Sequence, residues 1–299
     1  MISICIPVYN FDVTSLVGEL SEQAKSLNKP YEIIVIDDCS DDKYKAINRI
    51  ACENYIYIGL EENIGRSKIR NLFLRYSRYD YLLFIDCDSI IESSDFLLKY
   101  FEIIKQNPSV VCGGRIYKKF RPVRDKMLRW KYGLLRESRP FDVRKKFPHK
   151  SFMTNNFLIG RKILAEIRFD ERITKYGHED TLFGYSLKKG NILIDHIDNP
   201  VVNGDLENNT EYLNKTAEGI GNLVNIMEVT NFDEDLINFI TILRIHSKVR
   251  KMGKIIKLSF IMFKPLIVFL LSKGFVNLYL FDFYKLGILI EKSKKNNVP

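Results

Sequence analysis

Several structural devices are missing from this sequence of 299 residues. Its five cysteines are odd in number and form no CxxC pair, so neither a disulfide framework nor a zinc site is predicted. The chain opens on MISICIPVYN, without a basic segment or a cleavage site, and we therefore expect no secretory signal. Scattered thiols and the lack of a signal together predict reduced cysteines in the cytoplasm.

Positive charge is concentrated in two segments. Residues 115–150 contain 14 Lys/Arg against 3 Asp/Glu, and residues 244–299 contain 12 against 2, whereas the whole chain has a net charge of +9. The remaining residues are therefore acidic, with a net charge of −12. This division predicts anionic partners for the two basic segments and a cation for the acidic body.

The apolar pattern predicts an α/β fold. Short β-rich runs such as ISICIPVY and YLLFID alternate with segments of helical periodicity such as VTSLVGELSEQAKSL. Strands that are almost continuously apolar predict a mostly parallel sheet covered by helices on both faces. Ligands of such sheets bind beyond the carboxyl ends of the strands. Polar residues gather at three of these ends, namely Asn10, Asp37, Asp38, Asp86 and Asp88.

The segment FIDCDS places two carboxylates directly after a buried strand. Side chains alternate along an extended chain, so Asp86 and Asp88 point to the same side. Mg²⁺ and Mn²⁺ take such oxygens and bridge them to a nucleotide diphosphate. Helix capping is the simpler explanation of an isolated D-x-D, but three converging polar strand ends, two of them acidic, favour a cation. An EF-hand is disfavoured because DCDSIIESSDF lacks the central glycine and has Ile90 at a ligand position.

Six motifs occur in the order and at the spacing of family 2 glycosyltransferases of the bacterial surface-polysaccharide type, over about residues 2–210. They are IPVYN (6–10), VIDDCSDD (35–42), NIGRSKIRN (63–71), FIDCDS (84–89), TNNFLIGR (154–161) and YGHEDTLFGYSL (176–187). The resemblance implies a GT-A fold and an inverting transfer from a nucleotide-sugar, a UDP-sugar in our interpretation, to a glycan or lipid-linked acceptor. It divides the chain into a nucleotide-sugar half (1–112), an acceptor half (113–210) and a helical extension (211–299).

The resemblance also gives the donor-site residues their roles. Asp38 resembles the acid that accepts a hydrogen bond from the pyrimidine base, and Asp37 supports its turn. Asp86 resembles the residue near the ribose and Asp88 the direct ligand of Mn²⁺ or Mg²⁺, with Asp86 as a further ligand. The amide groups at the start of the NIGR helix suit a phosphate or ribose, although a capped basic helix has the same sequence. The other donor-binding residues are Pro7, Tyr9, Asn10, Asn63, Gly65, Arg66, Arg70, Cys87, Asn155 and Asn156.

The GHED segment places two acids at the start of a predicted helix. The resemblance implies that Asp180 is the general base for the acceptor hydroxyl and that Glu179 holds the acceptor. A helix-capping pair is the alternative. Where related sequences have a histidine that completes the metal site, this chain has Asn203, so the third ligand is either Asn203 or the earlier His196. This departure keeps open a non-catalytic nucleotide-sugar-binding protein.

Two further functions are disfavoured. A phosphohydrolase of the D-x-D type requires a Thr or Val downstream of the first acid, which Asp86 lacks. Residues 118–150 interleave basic and aromatic side chains, but no nucleic-acid recognition module surrounds them. We interpret them as a loop and helix over the site that contact donor phosphates or an acidic acceptor, with a solvated basic face as the alternative.

The C-terminal segment is strongly apolar but interrupted. Lys257, Lys264, Pro265 and Lys273 break every stretch long enough to span a bilayer. Apolar helices with regularly placed lysines lie in the interface of anionic membranes, so we expect peripheral attachment to the inner face of the cell membrane. The alternative is that this segment packs on the catalytic domain or on a second subunit, so the sequence leaves an oligomer possible.

Overall fold

The computed structural model describes residues 1–295 of the chain. Its strands are β1 (Ile2–Val8), β2 (Tyr31–Asp37), β3 (Ile56–Gly59), β4 (Tyr81–Ile85), β5 (Ser89–Ile90), β6 (Val110–Cys112), β7 (Arg115–Ile116), β8 (Asn156–Gly160), β9 (Ile194–His196) and β10 (Val201–Asn203). Its α-helices are α1 (Thr14–Leu27), α2 (Asp42–Ala51), α3 (Arg66–Tyr76), α4 (Phe96–Ile103), α5 (Met127–Tyr132), α6 (Phe141–Lys146), α7 (Arg161–Glu166), α8 (Glu179–Lys189), α9 (Asn209–Val229), α10 (Glu234–Phe239), α11 (Thr241–Lys248), α12 (Gly253–Ser272) and α13 (Leu278–Lys295).

The main sheet has seven strands in the order β3-β2-β1-β4-β8-β6-β9. The pairs β1·β2, β1·β4, β2·β3 and β6·β9 are parallel, whereas β8 is antiparallel to both of its neighbours. The predicted α/β fold with a mostly parallel sheet is therefore confirmed. The antiparallel strand β8 was not predicted, because an apolar run has the same sequence pattern in either direction.

Both faces of this sheet are buried, as the continuous apolar runs predict. Side chains of a strand alternate between faces. In β1, Ile4 and Ile6 enter one hydrophobic cluster with α1 and α4, and Cys5 enters the opposite cluster. That second cluster contains an aromatic group in which Phe169 and Phe183 stack with ring centroids 3.9 Å apart. The two clusters hold the carboxyl ends of β1, β2 and β4 in fixed positions.

A second sheet of three short strands has the order β5-β10-β7. Strand β10 is antiparallel to β5, with Asn203 opposite Ser89, and parallel to β7, with Val201 opposite Arg115. This sheet continues directly from the D-x-D segment, because Asp88 immediately precedes β5. It therefore gathers three distant parts of the chain beside the two carboxylates.

The chain divides into two compact units. The first consists of residues 1–117, 138–174 and 182–205, and it contains both sheets. The second consists of residues 118–137, 175–181 and the chain from Leu206 onward, and it is helical. Residues 118–137 and 175–181 thus group with the C-terminal helices. The division into domains at residue 210 stays a prediction.

The second unit contains the longest helices. A capping box starts α9, in which the Asn208 side chain accepts from the Glu211 amide and the Glu211 carboxylate accepts from the Asn208 amide. Helices α12 and α13 pack on each other and on α9. Within the described residues, one helical stretch, Arg250–Ser272, is long and apolar enough to cross a membrane, and only 17% of its most apolar part is buried. The expectation that lysines and Pro265 break every such stretch is therefore corrected, because the apolar residues between them outweigh these few interruptions.

Candidate active site

The loops after β1 and β2 are joined to each other at the predicted site. The backbone amide of Asn10 donates to Ser40 Oγ (2.8 Å), and the amide of Asp41 donates to Asn10 Oδ1 (2.7 Å). Asn10 has a φ of 50°, a left-handed conformation that asparagine tolerates better than most residues. Pro7 lies in β1, and Tyr9, one residue after the strand, is exposed. The structure thus places these three predicted donor residues at one edge of the sheet.

Asp37 is fully buried and supports the turn after β2. Its Oδ1 accepts from the Ser40 amide (2.7 Å), and its Oδ2 accepts from the Tyr57 hydroxyl (2.9 Å). The geometry is the turn-supporting arrangement that the sequence predicts for this residue.

Asp38 connects the end of β2 to the start of α3. Its Oδ1 accepts from the Ile64 amide (2.7 Å) and its Oδ2 from the Gly65 amide (3.0 Å), while Asn63 Nδ2 donates to the Asp38 carbonyl (3.1 Å). Burial raises the pKa of Asp38, and the nearby Asp37 charge adds a smaller increase. The hydrogen bonds from the Ile64 and Gly65 amides lower this pKa, but they do not cancel the increase. The sequence predicts that the amides at the start of this helix bind a phosphate or ribose. This prediction is corrected in part, because the Ile64 and Gly65 amides already donate to the Asp38 carboxylate.

Asp86 lies between two arginines. Arg70 Nη2 is 2.9 Å from Oδ1, and Arg115 Nη2 is 3.7 Å from Oδ2. Burial alone would raise the pKa of Asp86, but the charges of Arg70, Arg115 and Arg66 outweigh it and hold the pKa below its usual value. Because its oxygens face guanidinium groups, Asp86 is not placed as a metal ligand, which corrects that part of the prediction.

Arg115 was missed from the sequence. It follows two glycines at which a side chain would not fit: a Cβ on Gly113 would collide with Asn156 and Tyr100, and one on Gly114 would lie 2.7 Å from the Arg144 guanidinium. Gly114 also has a φ of +99°, which strains any other residue. The Gly-Gly pair was the available signal of a constrained turn, but it does not identify the partner of the arginine that follows.

The Asp88 backbone is pressed against the chain that follows β10. The Gly204 amide donates to the Asp88 carbonyl (2.8 Å), and a Cβ on Gly204 would lie 2.5 Å from that oxygen. Asn203 lies opposite Ser89 in the small sheet, and its Nδ2 donates to the Asp205 carbonyl. Cys87 lies between the two acids in the sequence. Burial, with smaller contributions from the charges of Asp88 and Asp86, raises the pKa of Cys87 to about 12, so its thiol stays protonated.

His196 is not placed as a third metal ligand, which corrects that alternative. It lies in β9 at the far edge of the main sheet. Its Nδ1 accepts from Arg144 Nη1 (2.9 Å), and its Nε2 donates to the Pro148 carbonyl (3.1 Å), so both ring nitrogens are engaged. Burial lowers the pKa of His196 to about 4. In residues 1–295 no three His, Cys, Asp or Glu side chains are grouped as a metal site.

Asn155 and Asn156 are adjacent but have opposite environments. The Asn156 amide is fully used, since Oδ1 accepts from the Tyr100 hydroxyl (2.6 Å) and Nδ2 donates to the carbonyls of Gly114 (3.0 Å) and Asn199 (2.8 Å). Asn156 therefore belongs to the scaffold, and the prediction that it bonds a sugar is corrected. Asn155 is only 3% exposed, yet neither its side-chain oxygen nor its nitrogen has a hydrogen-bond partner among the described residues.

The position of Asn155 connects it to the D-x-D segment. Its carbonyl accepts from the Asp86 amide (3.0 Å). Buried polar groups in proteins are nearly always hydrogen-bonded, so an amide without a partner at this place indicates a group outside the protein, either a ligand or water.

The GHED turn lies in the second unit and is held by α9. Asn222 Nδ2 donates to the Lys175 carbonyl (3.1 Å) and also to the carbonyl of Gly177. Gly177 and His178 have positive φ values of 95° and 67°, a conformation that strains the histidine backbone. Burial lowers the pKa of His178 to about 4. The left-handed backbone of His178 costs free energy, and the hydrogen bonds from Asn222 stabilise the turn in this conformation.

The two acids of this turn begin α8, as the sequence predicts. Glu179 is buried, and Asp180 is partly exposed. Asp180 Oδ1 accepts from the Thr181 amide (2.6 Å) and hydroxyl (3.2 Å). These bonds orient the carboxylate.

Part of the basic segment is structural. Arg129, in the second unit, bonds Glu137 (3.0 Å) and Glu207 (3.2 Å). Arg144, in the first unit, donates to the carbonyls of Cys112, Gly113 and Ile197, in addition to His196. Even so, the segment contains 14 Lys/Arg against 3 Asp/Glu, so it keeps an excess of positive charge.

A mostly parallel sheet with Asn10 after β1 and acidic residues at the ends of β2 and β4, together with a small mixed sheet, defines an α/β protein of the GT-A type. The model of the family described as glycosyl transferase family 2 matches residues 3–168, which is more than half of the chain. The chain therefore belongs to glycosyl transferase family 2 and is a transferase by family, as the motifs predict.

Known proteins resemble parts or all of the chain. Poly(ribitol-phosphate) beta-glucosyltransferase of Bacillus spizizenii is 32% identical in an alignment of 127 residues that covers 38% of this chain and 19% of that protein. Mannosyltransferase PcManGT of Pyrobaculum calidifontis, solved with GDP-Man and Mn²⁺, superposes with a TM-score of 0.63 at 14% identity, over 99% of this chain and 86% of that one. TarS 1-349 of S. aureus, solved with UDP-GlcNAc, gives a TM-score of 0.51 at 17% identity, over 99% and 92%.

These similarities differ in what they establish. The solved structures share less than a fifth of their residues with this chain, so their likeness shows the fold alone. The matches to the curated relatives cover between about a fifth and three-fifths of the length of those proteins. The similarities therefore do not identify the sugar donor, the acceptor or the stereochemistry of the transfer.

Proposed function

We propose that the protein transfers a sugar from a UDP-sugar to a glycan or lipid-linked acceptor, with inversion at the anomeric carbon. The observation that carries this proposal is the buried Asn155 amide, which has no partner beside the D-x-D segment. Asn155 supplies hydrogen bonds to sugar hydroxyls, and Asp38 with Tyr9 contacts the base and ribose. Arg70, Arg66 and Arg115 surround Asp86 with positive charge, which suits a diphosphate.

The residues present fit a divalent cation held by Asp88. Mg²⁺ and similar ions need only one or two carboxylates when a substrate diphosphate and water supply the other ligands. Asp86 is paired with arginines, so we assign the cation to Asp88, the second acid of the motif, and Asn203 on the adjoining strand offers a further oxygen. Such an ion neutralises the charge that develops on the departing diphosphate. Solved neighbours of the same fold include one with Mn²⁺ bound, which supports this assignment.

Asp180 acts as the general base in this proposal. Inversion needs a base that takes the proton of the acceptor hydroxyl while its oxygen attacks the anomeric carbon and UDP leaves. The bonds from Thr181 hold the Asp180 carboxylate in one orientation, and the strained turn before it fixes its position within the second unit. Glu179 holds the acceptor.

The basic segment supports an anionic or phosphate-containing acceptor. Residues 115–150 keep a large excess of positive charge after Arg129 and Arg144 are assigned to structural bonds. A relative is named for its action on poly(ribitol-phosphate), a polyanion. We propose a surface polysaccharide or its lipid-linked precursor as the acceptor and the inner face of a bacterial cell membrane as the location.

Calorimetry with UDP, with and without Mn²⁺, tests the donor site. The proposal predicts binding that Mn²⁺ strengthens. The second candidate function is a nucleotide-sugar-binding protein without turnover, which the substitution of Asn for the expected histidine at 203 favours. Binding of UDP without release of UDP from any UDP-sugar would select this second function.

A further inference from the structure

Helix α12 is apolar on the side that faces away from the protein. Seven large hydrophobic side chains lie there between Ile255 and Phe269, and each is about half exposed or more. They are Ile255, Leu258, Ile261, Met262, Phe263, Leu266 and Phe269. At 1.5 Å per residue they form a strip about 20 Å long. A soluble protein rarely leaves so large a continuous apolar patch in water, so the strip indicates a partner.

The opposite side of α12 is packed into the second unit. Phe260 and Leu271 are fully buried, and a Cβ on Gly287 of α13 would clash with the Phe260 ring, so the two helices are in close contact. Lys264 points to this inner side and bonds Glu291 of α13 (2.8 Å). A helix that crossed a bilayer would have to leave these contacts and bury Lys264 in hydrocarbon. The packing therefore favours a helix that lies along a surface.

The charge around the strip identifies the surface. Between Asp235 and Asp282 the sequence has eight Lys/Arg and no Asp or Glu. Arg250, Lys251 and Lys254 are exposed at one end of α12, and Lys273 is exposed at the other. The exposed aromatic residues Phe275 and Tyr279 follow, and aromatic side chains are enriched where membrane meets water.

A second copy of the chain fits this surface less well. A twofold interface brings the same patch of each subunit against itself. The basic groups at the two ends of the strip would then face like charges, and the segment contains no acid to pair with them. An anionic lipid surface instead offers hydrocarbon to the strip and negative charge to its ends.

We infer that the strip from Ile255 to Phe269, with its basic ends, Phe275 and Tyr279, is a docking surface that inserts into the headgroup region of an anionic bilayer. Helix α12 lies parallel to the membrane plane, with its inner side on α9 and α13. The inference rests on the membrane location proposed above but does not depend on the transfer reaction.

Vesicle flotation of the full-length protein tests this surface. We expect at least tenfold stronger binding to vesicles of phosphatidylcholine with phosphatidylglycerol than to phosphatidylcholine alone, and weakening by salt. Leu258→Glu is expected to lower binding about tenfold or more. Leu193→Glu is the matched control, because Leu193 is 75% exposed and Leu258 is 71% exposed, and it should bind like the unmodified protein.

Other outcomes would overturn the inference. Equal vesicle binding by Leu258→Glu and Leu193→Glu would contradict the docking surface. Equal binding of the unmodified protein to anionic and neutral vesicles would also contradict it, and this measurement needs no variant. A dimer in lipid-free solution that Leu258→Glu dissociates would assign the strip to a second copy. Resistance to extraction from cell membranes by alkaline carbonate would indicate a spanning helix. UDP binding, measured in parallel, shows whether the donor site fails separately.

Discussion

Arg70 and Asp86 form an ion pair in which the guanidinium Nη2 lies 2.9 Å from the carboxylate Oδ1 and the arginine side chain is 3% exposed. The pair joins α3 to the end of β4 and brings Arg70 beside the D-x-D segment. It also removes Asp86 from the expected metal ligands, since the carboxylate already has cationic neighbours. The two acids of the motif therefore differ: Asp86 is paired with arginines, and the proposal assigns the cation to Asp88.

Arg70→Ala is expected to destabilise the fold and weaken UDP binding. Removal of one partner of a buried pair leaves the other charge without compensation and costs about 3 kcal/mol or more. Arg75→Ala, in the same helix but exposed, should change the free energy of unfolding by less than about 0.5 kcal/mol. Urea unfolding of both variants measures the difference, and equal stabilities would show that the pair is not significant.

The two adjacent asparagines should respond oppositely to alanine. Asn156→Ala removes three hydrogen bonds and leaves the Tyr100 hydroxyl unpaired, so we expect a loss of about 2 to 4 kcal/mol in the free energy of unfolding. Asn155→Ala should leave stability and UDP affinity nearly unchanged but raise the KM for the UDP-sugar about tenfold, as one or two bonds to the sugar are lost. A destabilised Asn155→Ala with normal KM would contradict the sugar-binding role.

Acid should destabilise the protein through His196. Burial lowers its pKa to about 4, below the value of about 6.5 in an unfolded chain, so the unfolded state takes up the proton first. The contribution to stability is complete above pH 6.5 and is lost as the pH falls towards 4. At pH 5 the loss is about 2 kcal/mol. In His196→Gln, the fall in stability between pH 7.5 and pH 5 should be smaller by about this amount, and an unchanged fall would refute the assignment.

Sequence patterns predicted most of the fold because strands and helices differ in the period of their apolar residues. They predicted the position of Asp37, Asp38, Asp86 and Asp88 because strand ends of a parallel sheet meet at one edge. The partners of these acids could not be predicted in the same way. Asp86 and Arg115 are 29 positions apart, and only the pairing of β10 with both β5 and β7 brings their segments together.

His196 and Asn156 illustrate the same limit. As residue types, both fitted a binding role, and both proved to be structural because their partners come from distant segments. The Arg144 guanidinium and the Pro148 carbonyl take both nitrogens of His196, and the Tyr100 hydroxyl takes the Asn156 oxygen. A single sequence without contacts does not distinguish a side chain that bonds a ligand from one that bonds its own backbone.

Substitutions of Asp180 and Glu179, the two acids of the GHED turn, should affect different kinetic constants. Asp180→Asn keeps the size of the side chain but cannot accept a proton, so kcat should fall by ~10² to 10⁴ while the Kd for UDP stays nearly constant. Glu179→Gln should raise the KM for the acceptor more than it lowers kcat. If Glu179→Gln is inactive and Asp180→Asn is not, the two roles are exchanged. If both variants keep full activity, the acids only begin the helix.

The central claim, that the protein moves a sugar from a UDP-sugar with a cation held by Asp88, is tested most directly by the release of UDP from a panel of UDP-sugars. The unmodified protein with Mn²⁺ should release UDP from one or a few donors, and chelation of the metal should stop the release. Asp88→Ala should be inactive at the same donor concentration, whereas Asp195→Ala, an exposed acid of β9, should match the unmodified protein. Release of UDP by Asp88→Ala at the normal rate, or binding of UDP by the unmodified protein with no turnover of any donor, would contradict the account.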